Sequence, residues 1–183
     1  MSLHNTTKQN LVQCLVLSRL DYSNALLHGA CKSDLMKLQR VQNAAARLIN
    51  TCSYKCHITP YLYDLHWLPV SARIQYKIIL LVFKCLHDMA PGYLKDLVSV
   101  RCPARNLRSS SHLRLEVPAF RTESYGRKRF DVAAALLWNK LPLNVKSCDT
   151  LTIFKKHLKI HLFMKAFYWT VIFLVNFSFI LSL

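Results

Sequence analysis

Three glycines in 183 residues leave little material for tight turns and none for a glycine-rich phosphate loop. Acidic residues are also scarce: 9 Asp and Glu against 25 Lys and Arg, a formal charge of +16. No two aspartates are adjacent, so an Asp-Asp pair that holds two magnesium ions for phosphoryl transfer is missing. No Gly-x-Ser-x-Gly occurs either, which removes the best-marked serine nucleophile. Met1 to Asn10 is polar and lacks the apolar run of a secretory leader. The seven cysteines are odd in number and lie mostly in apolar or helical patterns. Together these predict reduced thiols in a cytoplasmic or nuclear setting rather than a disulfide frame.

Hydrophobic content is 52%, enough for a sizeable core. The charge excess points to a polyanionic partner, nucleic acid first and an anionic membrane surface second. The periodicity predicts a mainly α fold, a small helical bundle. A first helix is expected over Thr7 to His28, with Leu11, Cys14, Leu15, Leu17 (or Ser18), Tyr22, Ala25 and Leu26 on its stripe and Gly29 as cap. Ser33 and Asp34 open the next, from about Asp34 to Asn50. Leu35, Leu38, Val41, Ala45, Leu48 and Ile49 form its apolar stripe, and Arg40 and Arg47, two turns apart, share a basic side. Its stripe is expected to meet the helix of Ile74 to Leu86. Further helices are expected after Thr59-Pro60, after Pro69, over Phe130 to Leu141, and over Leu151 to Phe163 behind Asp149-Thr150.

The composition changes at Arg101. Arg101 to Arg129 holds eight Lys or Arg and two Glu. Leu113 to Val117 alternates apolar and charged residues, so a short β-hairpin near residues 113–130 is expected. Ala166 to Leu183 carries no charge. As a helix it would be about 27 Å long, near the thickness of a bilayer core. A hydrophobic C-terminal helix acting as a membrane tail anchor is one reading of it, and apolar flanking sequence is the other. The expected organisation is a helical bundle over 1–100, a basic loop or hairpin over 101–129, further helices over 130–165 and the tail over 166–183.

Metal chemistry has thin support. Cys52, Cys56 and His57 lie about a hundred residues from His157 and His161, too far for one finger-type module. No metal, cofactor or small-molecule substrate is expected. Arginine forks grip phosphates and aromatic faces stack unpaired bases. Arg40, Arg47, Arg101, Arg105, Arg108, Arg114, Arg121, Arg127, Lys128 and Arg129 are therefore the candidate contacts to RNA or DNA, with Phe120, Tyr125 and Phe130 among them. The bland alternative is a solvated basic loop whose aromatics dock on the core.

Short motifs recur here in a telling order. Ser18-Arg19-Leu20-Asp21-Tyr22-Ser23-Asn24-Ala25-Leu26-Leu27 is followed by Leu38-Gln39-Arg40-Val41-Gln42-Asn43-Ala44-Ala45-Ala46-Arg47-Leu48. Asp64-Leu65-His66-Trp67-Leu68-Pro69-Val70, Arg73-Ile74, Lys77-Ile78, Leu86-His87 and Ala90-Pro91-Gly92-Tyr93-Leu94 come next. Leu107-Arg108-Ser109-Ser110-Ser111, Tyr125-Gly126-Arg127-Lys128-Arg129-Phe130, Leu137-Trp138-Asn139-Lys140-Leu141-Pro142 and Phe154-Lys155-Lys156-His157-Leu158-Lys159 complete the series. In this order, over about residues 11 to 163, the chain resembles the C-terminal portion of the reverse-transcriptase polyprotein of jockey-like non-LTR retrotransposons (LINE-type elements). The resemblance implies a truncated piece of an RNA-directed DNA polymerase whose catalytic palm lies upstream of the matching part. No catalytic residue carries over. The implied function is a non-catalytic fragment with residual non-specific nucleic-acid binding; the alternative is a tail-anchored membrane protein with a basic cytosolic helical domain.

Overall fold

The computed structural model describes residues 5–101 and 113–180, with side chains described as far as Tyr168. The chain is mainly helical. Its α-helices are α1 (Asn5–Val12), α2 (Ser18–Asp21), α3 (Lys32–Asn50), α4 (Thr59–Asp64), α5 (Val70–Leu86), α6 (Gly92–Lys95), α7 (Phe130–Asn139), α8 (Leu143–Lys146) and α9 (Leu151–Ile180). A π-helical turn, Gln13–Leu17, joins α1 to α2. Two compact units divide the chain: residues up to Ile74 together with those from Ile160 on, and Gln75–Lys159.

The first unit is organised on α3. Ala45, Ala46 and Ile49 are buried with Val12, Leu17, Leu62, Trp67 and Phe167. The small side chains of Ala45 and Ala46 let neighbouring backbone approach closely. The buried face follows the expected stripe only in part: Ala45 and Ile49 are buried and Leu35 and Leu38 half-buried, but Gln42 is fully buried while Val41 is 48% and Leu48 63% exposed. The helix is turned so that residues 42, 45, 46 and 49 face inward. A polar residue takes a core position there because it has hydrogen-bond work to do, described below.

The single helix expected over Thr7 to His28 is instead broken. The Ser18 N–H reaches Gln13 O, an i to i+5 bond, so one extra residue enters the turn. Of the expected stripe Leu17 is buried, whereas Leu11 and Leu15 are exposed. After Asp21 the chain turns through Ser23 in the left-handed region (φ 51°), leaving Tyr22 and Leu26 in solvent. Gly29, at φ 74°, takes the left-handed conformation expected of it.

The second unit centres on an aromatic stack. Phe83 lies 4.0 Å from Phe154, and Trp138 lies 6.0 Å from Phe154. Ile78, Ile79, Val82, Val132 and Leu158 surround them, all buried. Asp149-Thr150 precede α9 as expected, with Thr150 Oγ1 accepting from the Ile153 N–H.

The expected hairpin near residues 113–130 is absent from the described residues. Leu115 pairs with Val100 in one antiparallel bridge, and Gly126–Lys128 is a 3-10 turn. The alternation over Leu113 to Val117 buries only Leu115, with Leu113 and Val117 largely exposed, and Pro118 has no N–H to extend a ladder. Gly126 sits so close to Phe120 that an added Cβ would lie 2.7 Å from the Phe120 Cβ, so this loop folds on itself instead.

The apolar C-terminal stretch follows the charged helical stretch across a kink. Helical backbone continues from Leu151 to Ile180, with a kink at Phe167 (φ −113°, ψ 15°). Among the described residues no helix is long and apolar enough to cross a membrane. Lys165 ends the charged part of α9. The membrane-anchor reading gains no support from this helix.

On α9, burial and then the neighbouring Lys165 charge hold the His161 imidazole below its ordinary range. The unfolded chain therefore takes up this proton first as pH falls, and stability is lost on acidification below about 6.5. Thermal melts at pH 7.5 and 5.5 are expected to show a smaller acid-induced drop in His161→Gln than in the wild type. Equal drops would contradict this.

Candidate nucleic-acid interface

The polar motif residues build the frame before any cation can be placed on it. Gln42 Nε2 donates to Leu68 O at 2.9 Å, and the Val70 N–H donates to Gln39 Oε1 at 2.9 Å. Val70 opens α5, and its N–H would otherwise be one of the orphan donors of a helix start. Gln39 Nε2 in turn donates to Gln42 Oε1 and Asn43 Oδ1. Arg73 Nε also donates to Leu68 O, while its Nη1 meets Asp21 Oδ2 at 2.6 Å. Asp21, Gln39, Gln42, Leu68 and Arg73, drawn from four of the quoted motifs, thus form one connected network within the first unit. Both bonds tie the Arg73 side chain inward.

The candidate cations differ in how free they are. Arg40 is exposed on α3. Arg47 is half-buried, with its guanidinium 5.2 Å over the Tyr54 ring. These two belong to the first unit. In the second unit, Arg127 pairs with Glu123 at 2.9 Å, and Arg129 pairs with Asp131. Lys128 lies over the Tyr125 ring at 5.8 Å. Arg101, Arg114 and Arg121 are exposed, and none has a carboxylate partner among the described residues. Arg105, Arg108 and the Ser109-Ser110-Ser111 run lie outside the described residues. Lys155, Lys156 and Lys159 are exposed on α9, as their spacing predicts.

The aromatics divide as well. Tyr125 is 78% exposed and available for stacking. Phe120 and Phe130 are half-buried, Phe120 against Gly126. The stacking reading therefore narrows to Tyr125.

Among the described residues no group of three or more His, Cys, Asp and Glu is placed to hold a metal. Cys52 and Cys56 both flank the Tyr61 hydroxyl, which they push above its ordinary range, Cys52 foremost. His66 stacks on Phe163, 5.8 Å between ring centres, as expected of a residue touching a neighbouring element. Spacing did not reveal a Cys–His contact: Cys148 Sγ lies 3.3 Å from His157 Nδ1. Burial, then the Asp149 charge, pushes that thiol up, so it stays protonated and is not an activated nucleophile.

Compared with known proteins, the chain matches no family model, no curated protein and no solved structure.

Proposed function

We propose that this chain is a non-catalytic nucleic-acid-binding module that corresponds to the C-terminal portion of a non-LTR retrotransposon reverse transcriptase. The retroelement part rests on the order of the sequence motifs. The binding part rests on one observation: Arg101, Arg114 and Arg121 stand exposed and without carboxylate partners among the described residues, in a chain with a formal charge of +16. Such cations release condensed counterions when they meet phosphates, and binding of this kind is non-specific in sequence. The exposed Tyr125 ring beside Lys128 supplies a stacking surface for an unpaired base. No step of polymerisation is assigned to any residue. The full chain is expected to shift a labelled 20-nucleotide single-stranded RNA in a gel at low salt, and to extend no primer with magnesium and nucleotides. Templated extension above a protein-free blank would overturn the non-catalytic reading; no shift at low salt would overturn the binding reading.

A further inference from the structure

Asn139 ties Lys146 to the ribbon that carries Arg101 and Arg114 in the Gln75–Lys159 unit. The buried Leu115 donates its N–H to Asn139 Oδ1 and accepts at its carbonyl from Asn139 Nδ2, both at 2.9 Å. The amide thus occupies the hydrogen-bonding edge that a neighbouring strand would take. On the opposite edge the Arg101 N–H donates to Arg114 O and the Glu116 N–H to Ser99 O, each at 2.9 Å. This register sets Arg101 directly across from Arg114, with both side chains leaving the ribbon on the face away from Leu115. Lys146, half-buried at the end of α8, donates to the Asn139 carbonyl at 3.3 Å.

Lys146 and Arg114 feel each other. Burial first, and then the Arg114 charge, hold the Lys146 ammonium below its ordinary range. Glu116 shares the outward face of the ribbon but forms no ion pair with Arg101, Arg114 or Lys146. An assembly of like charges held together by neutral amide bonds is destabilised while empty and relieved by an anion. Two guanidinium forks and one ammonium point charge suit a group with several charged oxygens better than a single carboxylate.

We infer that Arg101, Arg114 and Lys146 form a seat for one phosphate group, filled by a backbone phosphate of the bound strand. The nucleic-acid source rests on the binding reading above; the phosphate chemistry does not. Lys146 lies outside the basic stretch of 101–129 and enters through the fold alone.

The test uses the full chain. Fluorescence anisotropy against a labelled 20-nucleotide single-stranded RNA compares the wild type with Lys146→Met and Arg114→Gln, after circular dichroism has shown each variant folded. Each variant is expected to bind about three- to tenfold more weakly and to lower the salt slope by about one. Variants that keep wild-type affinity and slope would overturn the seat while leaving the binding reading intact. A second arm needs no RNA: trace acetylation of Lys146, read by mass spectrometry, with and without inorganic pyrophosphate. Protection of Lys146 with Lys155 unaffected supports the seat, even in a chain that binds no RNA. Equal labelling with and without pyrophosphate overturns it.

Discussion

Trp138→Ala is expected to destabilise the Gln75–Lys159 unit by about 3–5 kcal/mol. Trp138 is fully buried, and its ring stands 6.0 Å from Phe154, which is itself stacked on Phe83. Truncation leaves a cavity that the flanking rings cannot fill without abandoning that stack. It also removes the Nε1–H that donates to Leu113 O at 3.3 Å, two residues before the Leu115 bridge. Domains of this size are stable by about 5–15 kcal/mol in all, so most of the margin would go. Trp138→Phe keeps an aromatic ring and loses the donor, and should cost less. Urea melts followed by circular dichroism make the comparison; a Trp138→Ala midpoint equal to the wild type would contradict this packing.

Phe167→Ala is expected to cost about 3–4 kcal/mol, though it falls where the sequence turns uncharged and tail-like. Phe167 is 2% exposed and sits at the kink of α9. Its ring lies 4.7 Å from Phe163 and meets Tyr63 edge-on at 5.8 Å. The kink itself points to packing: Phe167 leaves helical geometry and joins the core that Ala45, Ala46 and Ile49 of α3 also enter. Met164→Ala, on the same helix but 47% exposed, should cost on the order of 0.5 kcal/mol. Equal losses from the two would show that Phe167 is not a core residue.

What could be read from the sequence follows from how local each signal is. The amphipathic part of α9 was legible because its inward residues, Phe154, Leu158 and Leu162, obey one undisturbed period, and all three are buried. Pro60 and Pro69 mark helix starts correctly, since the ring fixes φ and lacks an N–H that a first turn does not need. The face of α3 was legible only in part: Ala45 and Ile49 are buried, Val41 and Leu48 are not. A buried glutamine inverts the hydropathy rule, and its reason, a carbonyl at Leu68 twenty-six residues away, is invisible to periodicity. The π-helical turn at Gln13–Leu17 had no compositional mark, so the register of the first segment slipped with it. The strand at Leu113 to Val117 was over-read because alternation says nothing about whether a partner strand exists.

The basic residues were legible as a charge excess but not as a site. Counting charges cannot tell Arg127 and Arg129, which are paired with Glu123 and Asp131, from Arg101 and Arg114, which are not. Nor can it find Lys146, which the Asn139 clamp ties to the ribbon that carries Arg114.

The salt dependence of RNA binding bears most directly on the central claim. Affinity of the full chain for a single-stranded RNA 20-mer, measured from 50 to 300 mM KCl, is expected to fall linearly on a log–log plot with a slope of about −3 or steeper, the release expected of four or more phosphate contacts. Affinity that stays constant over that range, or no binding at 50 mM, would contradict it.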